Sequence, residues 1–121
     1  MAEFTFYLGT HQRNWRWKTA LPLFVSTRRL HDVVRLGRRP PGALWALDSG
    51  GFTELNLHGA WRTTEAEYVA QVRRYRDAIG NLNWAAPMDW MCEPAVLAKT
   101  GLTVADHQTR TVDNFIRLRS S

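Results

Sequence analysis

The sequence predicts an α/β fold in which parallel strands alternate with helices, and three observations lead there. Residues 43–47, Ala-Leu-Trp-Ala-Leu, are apolar throughout, as a strand buried on both faces of a parallel sheet should be. Residues 64–80 carry a helical pattern with its own start and stop signals. Strand-like runs are separated by long crossovers rather than tight hairpins. About four β units fit in 121 residues, whereas a complete (β/α)8 TIM-type barrel needs ~250. The chain therefore reads as a small open α/β domain or as part of a barrel.

Taken in order, residues 4–8 (Phe-Thr-Phe-Tyr-Leu) form an aromatic-rich first strand that Gly9 ends. A loop with His11, Asn14, Trp15 and Trp17 follows. Leu23-Phe24-Val25 is a second short strand, and Ser26 caps a turn over 27–31. Residues 37–42, Gly-Arg-Arg-Pro-Pro-Gly, are loop. The third strand, 43–47, runs into the turn Asp48-Ser49-Gly50-Gly51, and a loop carries His58 and Trp61. Thr64 and Glu67 make a capping box. Tyr68, Val72, Tyr75 and Ile79 then give one apolar helix face, and Gly80 stops the helix. Trp84-Ala85-Ala86 is a fourth strand ended by Pro87. Pro94 opens a short helix that Gly101 closes. Thr103 caps a last helix whose apolar positions are Val104, Thr111, Val112, Phe115 and Leu118.

A composition of 45% hydrophobic and 22% charged residues reads as a soluble globular chain. No apolar run is long enough to span a bilayer, so no membrane partner is expected. The N-terminal residues lack the basic and apolar regions of a signal peptide, and the expected compartment is the cytoplasm. One cysteine, Cys92, excludes an internal disulfide and a multi-cysteine zinc site within this chain. The net charge of +5 is carried mostly by arginine, with Arg28, Arg29, Arg35, Arg38 and Arg39 in one cluster. Further arginines, among them Arg73, Arg74, Arg76, Arg110, Arg117 and Arg119, lie on predicted helices. A basic balance fits an anionic partner such as nucleic acid, or a solvated arginine-rich surface.

Two aspartates stand at the C-terminal ends of predicted strands, Asp48 after the third and Asp89 after the fourth. Parallel α/β folds bind their ligands at that end of the sheet, so both are candidates for acid–base or recognition chemistry. Capping of the local turns is the plainer role for each. The glycine pair lets the backbone approach a flat ligand, and Phe52 sets a ring beside it that can stack on a nucleobase.

Residues 45–55, Trp-Ala-Leu-Asp-Ser-Gly-Gly-Phe-Thr-Glu-Leu, carry a family resemblance. A strand ending in Asp-Ser-Gly-Gly and an aromatic residue resembles the base-exchange motif of the queuine and archaeosine tRNA-guanine transglycosylases. It also resembles that of their DNA-acting relatives, which install 7-deazaguanines in DNA. Ala86-Pro87-Met88-Asp89-Trp90 resembles the family's base-reading segment. The resemblance implies that residues 1–121 form a single domain, the N-terminal half of a (β/α)8 barrel. It implies Asp48 as general acid/base and Ser49, Gly50 and Gly51 as the pocket floor. Phe52 would stack on the base, and Asp89 would accept hydrogen bonds from the ring N–H and exocyclic amine of guanine or a 7-deazaguanine. The implied partners are nucleic acid, DNA or tRNA, and a purine-like base, with a homodimer or a missing C-terminal half covering the open side. No cofactor is expected. The family's zinc ligands, its nucleophilic aspartate and the glutamine usual at Thr53 in the tRNA enzymes have no match here.

Other residues read more plainly. His11 is a surface-loop histidine at an edge where a ligand can be touched, His58 and Trp61 a packed turn or else a lid, and His107 a helix-surface or partly buried residue. Glu54 with Asp48 is a carboxylate pair of the kind glycoside hydrolysis uses, but one short loop would have to supply both. Three functions compete: a base-exchanging transglycosylase, a non-catalytic half-barrel, and a basic nucleic-acid-binding module.

Overall fold

Four short strands, Leu8–Thr10 (β1), Leu23–Ser26 (β2), Trp45–Asp48 (β3) and Leu82–Ala85 (β4), lie side by side in sequence order, and every neighbouring pair is parallel. The computed structural model describes residues 5–10 and 18–120. A 3-10 turn at Thr27–Arg29 and helices Gly51–His58 (α1), Glu65–Ile79 (α2), Pro94–Thr100 (α3) and Val104–Arg119 (α4) fill the segments between and after the strands. The fold is thus α/β, an open parallel sheet alternating with helices, as the sequence predicts. The chain divides into two compact units, Met1–Asp48 with Gln71–Ala85, and Ser49–Ala70 with Ala86–Ser121.

The first unit holds the sheet. In β3, Trp45, Ala46 and Leu47 are all sealed from solvent, because a central parallel strand is covered on both faces. The indole N–H of Trp45 donates to the Gly80 carbonyl at 2.7 Å, and its ring lies 6.5 Å from that of Tyr75 on α2. Tyr75 also shares a 3.0 Å hydrogen bond with Thr27, whose hydroxyl lies 2.7 Å from the Gln71 amide oxygen. Burial pushes the Tyr75 phenol above its ordinary range, with the Thr27 bond acting the other way. Arg39 corrects its assignment to the surface cluster, for it is buried. Its guanidinium donates to the carbonyls of Thr19, Leu21, Ala43 and Leu44 at 2.8 to 3.2 Å. Burial holds its pKa below the usual arginine value, and the planar fork satisfies carbonyls that a lysine could not reach together.

The second unit is helical. Leu55 of α1, Val96 of α3 and Trp90 form its core, with Trp61, Met91 and Leu102 packed around them. Gly59 ends α1 at φ 69°, and a Cβ there would stand 3.1 Å from the Lys99 carbonyl oxygen. Only glycine fits both the left-handed turn and that approach. α4 opens with a reciprocal capping box. The Thr103 hydroxyl accepts from Asp106 N–H at 3.1 Å, and the Asp106 carboxylate accepts from Thr103 N–H at 3.0 Å.

Several boundaries differ from those predicted. The first strand runs over Leu8–Thr10, with Gly9 inside it, because its pairing with Leu23–Val25 and not its aromatic content sets its position. Phe4 lies outside the described residues. Asp48 is the last residue of β3 and pairs in register with Ser26. β4 begins earlier than predicted, at Leu82. The largest correction is α1, since residues 51–58 are helix and not loop. On α4, Val104, Val112 and Phe115 are exposed, while His107 on another stripe is sealed.

Candidate functional site around Asp89 and the Ser49–Gly51 turn

The segment after β4 has neither helical nor strand geometry over residues 86–93, so its backbone polar groups need partners from elsewhere. One stripe of α4 supplies several of them. Asn114 Nδ2 donates to the Met88 carbonyl at 2.8 Å. The Thr111 hydroxyl accepts from Trp90 N–H at 2.7 Å. His107 Nδ1 meets the Met91 carbonyl at 2.7 Å, and its Nε2 meets the Thr100 hydroxyl at 2.8 Å. A carbonyl can only accept, so Nδ1 carries the proton. Residues 107, 111 and 114 follow helical spacing, so a single polar ridge holds the chain on both sides of Asp89. The Asp89 carbonyl is taken by Trp61 Nε1 at 3.0 Å.

The Ser49–Gly51 turn closes on the same aspartate. Ser49 is buried, and its hydroxyl donates to Asp89 Oδ1 at 3.3 Å. Gly50 takes φ 78° as the N-cap of α1, and no side chain caps that helix. A Cβ on Gly51 would stand 2.7 Å from the Trp61 ring and 3.1 Å from Asp89 Oδ1. Gly51 is therefore fixed by its close neighbours and Gly50 by dihedral angle, two separate reasons for the pair. Phe52, the next residue, is half exposed. Of the predicted site residues, Ser49, Gly50, Gly51, Phe52 and Asp89 all belong to the second unit, and Ser49, Gly51 and Asp89 are in direct contact. Asp48 belongs to the first unit, partly exposed at the end of β3.

A cleft of about 560 Å³ opens on the second unit, lined by Trp61, Met88, Trp90, Arg110 and Asn114 among others. The Arg110 guanidinium lies over the Trp90 ring, 4.6 Å from its centroid. Met88 and Trp90 flank Asp89 in sequence, and Trp61 both lines this cleft and touches Gly51. Sequence reasoning missed Asn114, and it read Trp61 and Thr111 as packing residues without their hydrogen bonds to the backbone around Asp89. The signal that was present is the polar stripe His107, Thr111, Asn114 at spacings of four and three.

Glu54 serves the structure. Its buried carboxylate accepts from Arg62 N–H at 3.0 Å and from the Thr63 hydroxyl at 2.5 Å, tying the connection after α1 back onto the helix. His107 is fully buried, more so than its sequence context suggests. His11, Asn14, Trp15 and Trp17 lie outside the described residues. Among the described residues, no group of three or more His, Cys, Asp or Glu side chains is placed to hold a metal ion, and no helix is long and apolar enough to cross a membrane.

Comparison with known proteins identifies a family. No curated protein matches the chain, and no solved structure does. The sequence model of one family, DpdA, described as DeoxyPurine in DNA protein A, matches residues 1–121. The match covers the whole chain, including both aspartates and the Ser49–Gly51 turn that closes on Asp89, and the chain belongs to this DNA 7-deazaguanine transglycosylase-like family.

Proposed function

We infer that the chain takes part in base exchange in DNA, replacing guanine by a 7-deazaguanine. In this reading Asp89 accepts the ring N–H and exocyclic amine of the base, since an ionised carboxylate takes two parallel donors well. Ser49 holds that carboxylate through Oδ1. Gly50 and Gly51 form the floor, where the absence of side chains leaves backbone exposed to a flat ring, and Phe52 stacks on the base. Asp48 is the general acid/base. N9 of the incoming base bonds to C1′ as the bond from C1′ to guanine N9 breaks. Asp48 gives a proton to the departing guanine and takes one back from N9 of the incoming base, so bonds and protons both balance. The extruded base costs a few kcal/mol to unstack, which stacking and hydrogen bonding offset.

The observation that carries this reading is the contact of Ser49, Gly51 and Asp89 in a chain that matches a deoxypurine-in-DNA family from end to end. The test pairs two measurements. Binding of a free 7-deazaguanine base is followed by tryptophan emission, and label release is followed from guanine-labelled DNA and from tRNA. Base binding weakened tenfold or more by Asp89→Asn, with release from DNA lost in Asp48→Asn, is the expected outcome. Binding indifferent to Asp89→Asn overturns the recognition role, and release from tRNA alone overturns DNA as substrate.

A further inference from the structure

The positive charge of this protein is not spread evenly. The first unit carries eleven Arg and Lys against four Asp and Glu, and the second carries five against seven. The whole basic excess, and more, sits on the unit that holds the sheet. Within it the structure draws two basic stretches that are far apart in sequence onto one side. Thr27 bonds to Gln71 and Tyr75, and the Arg74 guanidinium donates to the Val33 carbonyl, so the connection after β2 lies along α2. Arg38 reaches the C-terminal end of the same helix, donating to the Asp77 carbonyl at 3.1 Å. Arg28, Arg29 and Arg35 are exposed on this connection, beside Arg74. The acidic side chains facing them are Asp32 and, at the helix end, Asp77, which Arg76 already engages at 2.9 Å.

We propose that this ridge, formed by Arg28, Arg29, Arg35, Arg38 and Arg74, is the surface that grips the phosphate backbone of duplex DNA. The inference rests on DNA being the substrate and adds where it is held. Guanidinium groups suit this task because each offers several donors to phosphate oxygens and stays charged at any working pH. The grip is independent of sequence, as phosphate contacts are, and leaves base recognition to the other unit. The cleft beside Trp90 is the weaker candidate for an anion, since the unit around it is net acidic.

The test uses the whole chain and two triple variants with equal charge change. One is Arg28→Gln, Arg29→Gln, Arg35→Gln. The other is Arg62→Gln, Lys99→Gln, Arg119→Gln, all exposed on the second unit. Affinity for a short DNA duplex is measured by fluorescence anisotropy against salt. The first triple is expected to flatten the slope of log affinity on log salt by about 0.9 for each phosphate no longer engaged, and the second to leave it nearly unchanged. Equal weakening by both triples, or no change from the first, overturns the proposal. Tighter binding to a double-stranded RNA of the same sequence overturns DNA as the partner. Melting of each variant is followed alongside, and if the first triple melts early, the double variant Arg28→Gln, Arg35→Gln gives the same reading. Failure of base exchange with the slope behaving as expected sinks the enzymatic reading while the ridge stands.

Discussion

Gly51 is the residue on which most of the candidate site turns. Its neighbours leave no room for even one carbon, with the Trp61 ring at 2.7 Å and Asp89 Oδ1 at 3.1 Å from an added Cβ. Gly51→Ala is expected to displace both and to cost about 1–3 kcal/mol, read as a lower denaturant midpoint. An unchanged midpoint would mean that Trp61 swings aside freely. Asp106 allows a separate test by pH. Hydrogen bonding from the Thr103 backbone N–H, with its hydroxyl second, holds the Asp106 carboxyl below the usual aspartate range. A carboxyl with a depressed folded pKa contributes stability above its unfolded pKa of about 3.9 and loses it as pH falls through the folded value. Asp106→Asn is therefore expected to lower the melting temperature near neutral pH, with the gap closing below about pH 4. Melting curves of both proteins across that range check it. The residues themselves were largely legible: Ser49, Gly51 and Asp89 stand out in the sequence because of their place after strands, and the structure brings those three together. Arg39 was not, because an arginine among arginines carries no mark that its carbonyl partners lie within the fold.

At the level of elements, the loop bearing Asp89 depends on α4. Thr111 supplies the acceptor for Trp90 N–H at 2.7 Å, and Thr111→Val keeps the shape while removing it. Leaving that backbone donor without a partner is expected to cost about 1–3 kcal/mol. Amide exchange offers a sharper reading, because Trp90 N–H should be protected in the wild type despite lying outside helix and sheet, and should exchange quickly in the variant. Protection equal in both would mean that Thr111 is dispensable. The sequence located α2 and α4 through their caps, Thr64 and Thr103, since side-chain capping is local chemistry. It missed α1, whose N-cap is Gly50 in a left-handed conformation with no side-chain bond. It placed Thr111 and Leu118 on the inward side of α4 but added the exposed Val104, Val112 and Phe115 and left out His107 and Asn114, because the ridge that packs there is polar and serves another segment's backbone. Hydrophobic periodicity reports burial of carbon and says nothing about burial that satisfies hydrogen bonds.

For the whole molecule, the division of charge dominates. A basic unit repels itself at low ionic strength, and screening relieves it. Raising salt from about 20 to 200 mM is expected to raise the melting temperature, with the gain shrinking in the triple variant Arg28→Gln, Arg29→Gln, Arg35→Gln. A melting temperature that falls with salt would mean that the ion pairs, such as Arg117 with Glu65 at 2.8 Å, outweigh that repulsion. The parallel order of the sheet was legible as a class from the unbroken apolar run of β3, whereas the length of each strand was not, since register with a neighbour decides it. One consequence concerns Trp61. Its indole N–H is spent on the Asp89 carbonyl and its ring edge rests against Gly51, so a base bound at that aspartate as proposed is expected to disturb the chromophore. The emission difference between wild type and Trp61→Phe then reads occupancy without any attached dye.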